Sequence, residues 1–128
     1  FEGEPQRPVE ERRAKHSPLR DVAGMLRSFD YARHAAQAKV GELQRSPRIA
    51  ELADAWARAA AQAFLDAYRA TAEHSCVMGE WPEAARLIDL FALEKALYEV
   101  RYELDNRPDW VVVPLAGLVR AVDADGTA

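Results

Sequence analysis

Lys95, Tyr98 and Tyr102 fall within a narrow sector of one helix face when successive residues are stepped round at about 100° each. On the other side of the same segment Leu90, Leu93, Leu97, Val100 and Leu104 form an apolar stripe, the expected core side. A face turned to solvent is normally filled by Glu, Lys, Arg and Gln, so two tyrosines and a lysine aligned opposite a leucine stripe point to a second contact. A tyrosine ring stacks on the C–H faces of a sugar while its hydroxyl bonds to the sugar hydroxyls, and a lysine supplies donors to the same polyol or to a phosphate. Phe91 and Glu99 flank the sector. The alternative is a sandwiched helix, with the tyrosines packed against another element and their hydroxyls at its edge.

The rest of the chain offers less chemistry. His16, His34 and His74 lie far apart, with no His-x-x-x-His spacing, and read as structural or exposed. Cys76 stands alone, which excludes a disulfide framework and a multi-thiolate zinc site, and no basic neighbour marks it as reactive. There is no glycine-rich phosphate loop and no Ser–His–Asp set. Asp21, Asp30 and Glu94 read as ordinary helix carboxylates.

The elements that must position the lysine and tyrosines are helical. The chain has 128 residues, 49% hydrophobic and 30% charged, enough for one domain or one lobe with a real core. A net charge of −4 argues against a general nucleic-acid binder. No apolar run approaches the roughly 20 residues needed to cross a bilayer, and no signal-like start is visible, so a cytoplasmic location without membrane contact is the default expectation. The opening phrase Phe1-Glu2-Gly3-Glu4-Pro5 starts in mid-loop, which suggests a piece of a longer polypeptide.

Residues 1–16 carry Pro5, Pro8 and dense charge, and read as an extended segment; residues 17–128 read as the helical unit. Ser17-Pro18 and Ser46-Pro47 each join a capping hydroxyl to a proline suited to the first turn. Helices are expected from there to about Val40, ending near Gly41, and from Ile49 to about Ala72, followed by a break at His74–Gly79. Trp81-Pro82 opens a third helix, from about Glu83 to Asn106, and Pro108 stops it. Trp110 to Val113 reads as short and β-like, Pro114 as the start of a last short helix, and Asp123 to Ala128 as a frayed tail. The fold class is all-α: three long helices and a short C-terminal one.

Two long phrases carry a resemblance. The first is Phe1-Glu2-Gly3-Glu4-Pro5, then Arg12-Arg13 and Lys15, then Ser17 through Ala32, which includes Leu19-Arg20-Asp21-Val22-Ala23. The second runs from Glu94-Lys95-Ala96-Leu97-Tyr98-Glu99 to Pro108-Asp109-Trp110. Together they resemble the C-terminal lobe of bacterial maltokinases, enzymes with an aminoglycoside-phosphotransferase-like kinase fold, often fused to or partnered with trehalose synthase. The resemblance covers nearly the whole chain, although Ala36 to Glu83 matches only as a helical spacer.

This resemblance implies MgATP-dependent phosphorylation of maltose to maltose 1-phosphate, which feeds α-glucan (glycogen) synthesis and trehalose metabolism. It implies that the catalytic loop and the metal-binding Asp lie before Phe1, so that the 128 residues alone hold no catalytic residue, no metal ligand and no bound ATP or Mg. Glu2 would then lie close to the metal and phosphates, Asp21 would brace the catalytic loop, and Lys95, Tyr98 and Tyr102 would hold the sugar, with Glu94 and Arg101 at the edge. Two other readings stand beside it: a kinase of another small sugar such as glucosamine, and a non-catalytic helical module fused to trehalose synthase.

Overall fold

The computed structural model describes residues 8–9, 17–40, 46–72 and 79–125, with side chains as far as Val122. Among them are four α-helices and no strand: α1 (Leu19–Lys39), α2 (Pro47–Ala72), α3 (Trp81–Asn106) and α4 (Val112–Asp125), with a 3-10 turn, Pro108–Trp110, between the last two. The all-α expectation holds for these residues.

The start signals work as the sequence implies. The Ser17 hydroxyl accepts from Leu19 N at 3.3 Å, and the Ser46 hydroxyl accepts from Ile49 N at 3.4 Å, so each serine satisfies an amide that the first turn leaves free. Pro47 is the first residue of α2, where its missing N–H costs nothing. Helix α3 begins at Trp81, two residues earlier than expected, because Pro82 fits inside the first turn, whose first bonds run from Glu83 N and Ala84 N to Glu80 O. The Gly41 end signal and the break at 74–78 lie outside the described residues. Gly79, just before α3, has φ +67°, a backbone that favours glycine.

The segment read as β-like is helical. Trp110 N donates to Arg107 O at 2.8 Å and Val111 N to Pro108 O at 3.2 Å, which closes the 3-10 turn. Helix α4 then starts at Val112 and takes Pro114 in its first turn. Its first α-type bond comes from Leu115 N to Val111 O at 3.2 Å, so proline removes no needed donor. Three consecutive valines favour strand only where a neighbouring strand exists to pair with them.

Cross-helix pairs give the directions. Arg33 meets Asp54, and Phe29 meets both Trp56 and Phe64, so α1 and α2 run antiparallel. Arg20 meets Glu94, Arg27 meets Glu99 and Tyr31 meets Glu103; numbers rising together make α1 and α3 parallel. Helix α1 packs on both α2 and α3, and α4 folds back onto α3 and reaches α1. The core joins Leu19, Val22 and Ala23 of α1 to Ala84 and Ile88 of α3, with Phe64, Leu65 and Tyr68 of α2 packed against them. Each large side chain buried there is worth about 1.5–3 kcal/mol.

The leucine stripe of α3 is not the core. Leu90, Leu97 and Leu104 are 56%, 58% and 57% exposed, and Leu93 is also open. The buried residues of α3 are Ala84, Ile88, Ala96, Glu99 and Glu103, which occupy the opposite side. Helical periodicity separates two faces, but it does not say which of them a neighbour covers. Here α1 covers the side with small residues and glutamates, and there its Arg27 and Tyr31 bond to Glu99 and Glu103.

Candidate functional site

Lys95, Tyr98 and Tyr102 come together as their spacing implies. The two tyrosine rings stack with centroids 6.3 Å apart and planes 22° from parallel, and the Lys95 ammonium lies 5.4 Å from the Tyr98 ring centroid. All three are half-buried, and the Tyr98 hydroxyl oxygen is itself shut off from solvent. They sit on the flank of α3 next to its buried side, and so they answer to both sequence-based readings: partly packed, as in a sandwiched helix, yet retaining open surface.

The two edge residues behave differently. Glu94 accepts from Arg20 Nη2 at 2.6 Å, and Arg20 also lies 5.0 Å over the Phe91 ring, which ties this end of the flank to α1. Arg101 is exposed, on the turn of α3 between Leu97 and Leu104. Asp21 is exposed in the first turn of α1, where a carboxylate suits the positive end of the helix dipole. Glu2 lies outside the described residues, as do His16, His74 and Cys76.

Behind the flank stands an ionic network that sequence reasoning missed. Arg27, 5% exposed, directs Nε to Glu99 Oε2 at 2.9 Å, with Nη2 at 2.9 Å from the same oxygen. Its Nη1 donates to Asp30 Oδ2 at 2.7 Å, and the same Asp30 oxygen accepts from Arg120 of α4 at 2.6 Å. Asp30 is thus a bridge between α1 and α4 rather than an ordinary surface carboxylate. One turn along, Glu103 takes two donors from Arg107, at 2.9 and 2.7 Å, and one from the Tyr31 hydroxyl at 2.8 Å. Tyr31 stacks on Trp110 at 6.1 Å, while His34 meets the same indole edge-on at 5.0 Å and Arg107 lies over it at 4.8 Å.

Burial dominates the titration of this region. It pushes the Glu99 carboxyl above its ordinary value despite the Arg27 guanidinium beside it. Burial, then the bond to Glu103, pushes the Tyr31 phenol far up. His34 is held below its ordinary value, first by burial and then by Arg33. Arg107 moves up, because Glu103 binds its charged form.

A signal for this network was present in the sequence. Arg27 continues the i, i+4 step of Leu19 and Ala23, in phase with the buried stripe of α1, and Glu99 and Glu103 share that spacing on α3.

A groove of about 650 Å³ lies between α1 and α2, lined by His34, Gln37, Val40, Pro47 and Ile49 among others; α3 does not contribute to it. Among the described residues no three His, Cys, Asp or Glu side chains converge as a metal site, and no helix is long and apolar enough to cross a membrane.

No family model matches the chain. A glucosamine kinase of Streptacidiphilus jiangxiensis is 29% identical over 114 residues, which are 89% of this chain and 24% of that protein. The chain therefore spans about a quarter of that relative's length and is similar to that part of a sugar kinase.

Proposed function

We propose that this chain is the acceptor-sugar side of an ATP-dependent sugar kinase, and that the acceptor is a neutral sugar of the maltose type, phosphorylated at its anomeric hydroxyl. The observation that supports this most is the stacked Tyr98–Tyr102 pair with the Lys95 ammonium beside it, a half-exposed aromatic and donor surface on one side of a rigidly anchored helix. The similarity to a glucosamine kinase supports the broader class.

Most of the α3 carboxylates around the tyrosine pair are engaged, which favours a neutral acceptor. An amino sugar carries an ammonium, which calls for a carboxylate partner. Glu94, Glu99 and Glu103 already accept from Arg20, Arg27 and Arg107, which leaves the exposed Asp105, three residues on from Tyr102, as the carboxylate on that flank. Breaking such pairs to seat a ligand costs more than bonding to hydroxyls. Sugar C–H faces stack on the rings, and Lys95 and the Tyr102 phenol exchange hydrogen bonds with hydroxyls, the Tyr98 hydroxyl being turned inward. Phosphoryl transfer depends chiefly on positioning and charge neutralisation. The contribution of this chain is positioning of the acceptor; Asp21 and Glu2 would serve the catalytic loop and the phosphates of MgATP contributed by the remainder of the kinase.

Glucosamine is the second reading, favoured by the relative's own substrate name. The test is ATP-dependent phosphorylation by the full polypeptide that carries this chain, with maltose, glucosamine and trehalose as acceptors. Turnover of maltose in preference to glucosamine is the expected result. Preference for glucosamine replaces the acceptor. No turnover with any sugar favours a helical interaction module, for which trehalose synthase, fused or separate, is the partner to try first.

A further inference from the structure

Each tyrosine of the flank is followed directly by a buried glutamate, so that Tyr98-Glu99-Val100-Arg101-Tyr102-Glu103 repeats one pattern at i, i+4. One residue is about 100° of helix rotation, so fixing the glutamates on one face fixes the tyrosines on the adjoining one. Glu99 and Glu103 are 8% and 1% exposed, and they are held from α1: Arg27 reaches Glu99 and Tyr31 reaches Glu103, while Arg107, the cap of α3 one i, i+4 step beyond Glu103, moves with the helix.

Apolar area alone favours another arrangement. The open side of α3 carries Leu90, Leu93, Leu97 and Leu104, whereas the covered side carries Ala84, Ala92 and Ala96 besides Ile88. Rolling α3 by about half a turn would bury leucines in place of alanines, which burial energy rewards. It would also strand the Arg27 guanidinium and take Glu99 and Glu103 away from their partners on α1, Arg27 and Tyr31, and an unpaired buried charge is heavily penalised.

We propose that Glu99 and Glu103, together with Arg27 and Tyr31 of α1, are positioning residues: they set the rotation of α3 about its axis and thereby turn the Tyr98–Tyr102 pair toward the sugar. The rotational part stands on the structure of this chain, and the sugar part rests on the function proposed above.

Two readouts separate them. In a Cys76→Ser background, Leu97→Cys is labelled rapidly by a thiol reagent. Adding Arg27→Ala, Glu99→Ala and Glu103→Ala, which keep the covered side small, slows that labelling by about tenfold or more if α3 rolls, the factor that 1.4 kcal/mol carries. Retention of helix with loss of cooperative unfolding, so that several rotations coexist, also supports the clamp. Unchanged labelling in a cooperatively folded variant overturns it, and so does loss of the helix itself, which would make these residues necessary for helix formation rather than rotation. The pair replacement Arg27→Ala/Glu99→Ala is read by the same criteria. In the full polypeptide, Glu99→Ala raises the sugar KM with the ATP KM unchanged, and Glu99→Gln, which still accepts from Arg27, restores it. Equal rises in both KM values overturn the positioning role. If labelling slows but Tyr98→Ala leaves the sugar KM unchanged, the clamp stands and the α3 flank is removed from the sugar site.

Discussion

A side chain on Gly117 of α4 would overlap the guanidinium of Arg27 on α1; the glycine is the space in which that arginine lies. The same guanidinium bonds to Glu99 of α3 and to Asp30, so three helices converge on one cation. An arginine with Nε, Nη1 and Nη2 all at carboxylates has little freedom to withdraw, and the missing Cβ becomes a structural requirement.

Gly117→Ala therefore destabilises the chain. Alanine gains about 1 kcal/mol of helix propensity over glycine, and at an open site that gain would decide the sign. Here the methyl group displaces Arg27, and breaking a buried ion pair costs about 3–5 kcal/mol, leaving a net loss of about 2–4 kcal/mol. Urea unfolding measures it. A gain in stability would show that Arg27 can move aside at no cost.

Glu103→Ala loses about 2–4 kcal/mol, since it leaves the Tyr31 hydroxyl and Arg107 without their acceptor. Glu103→Gln loses less, because its amide oxygen can still accept from one of the two. Equal losses would mean that charge and hydrogen bonding contribute nothing here beyond side-chain volume.

Two groups give opposite pH slopes. Glu99 has a raised folded value, so it binds its proton more tightly folded than unfolded; its contribution is greatest on the acid side and is lost as pH rises from its ordinary 4.5 through the folded value. His34 has a lowered folded value, so its contribution is complete above its ordinary 6.5 and is lost as pH falls through the folded value. Urea titrations between about pH 4 and pH 8 should show Glu99→Gln removing the first slope and His34→Gln the second. Unaltered profiles in both variants would assign the pH dependence to other groups.

Leu97→Lys changes the stability of this chain by less than about 0.5 kcal/mol, because Leu97 is 58% exposed, whereas Ile88→Ala, at a site 2% exposed, costs about 2–5 kcal/mol. A large loss at Leu97 would place the leucine face inside the fold.

The sequence made the helices legible and the inward face of α3 illegible, for one physical reason. Ser17-Pro18, Ser46-Pro47 and Trp81-Pro82 act locally, through the amides of a single turn, so they can be read without knowing the neighbours. The choice between the two faces of α3 depends on Arg27, some seventy residues away (|i−j| = 72 for its bond to Glu99), and no local pattern contains that pairing. A leucine stripe at 3.6-residue spacing signals burial wherever a partner exists to cover it; within the described residues α1 instead covers the face that holds the acceptors for its cations. The clustering of Lys95, Tyr98 and Tyr102 was legible because they are related by spacing within one helix, which the fold cannot change. The network behind them was missed because charged residues were assigned to solvent, although Arg27 keeps the phase of Leu19 and Ala23. Trp110 to Val113 was misread because valine counts as a strand former until the proline pattern around it is followed turn by turn.

The most direct test of the central claim is the acceptor KM of Tyr98→Ala in the full polypeptide, measured alongside the ATP KM. A sugar that stacks on Tyr98 loses about 1–2 kcal/mol of binding when the ring is removed, so the sugar KM rises by about tenfold while the ATP KM holds. An unchanged sugar KM in a protein of undiminished stability would remove the α3 flank from the acceptor site.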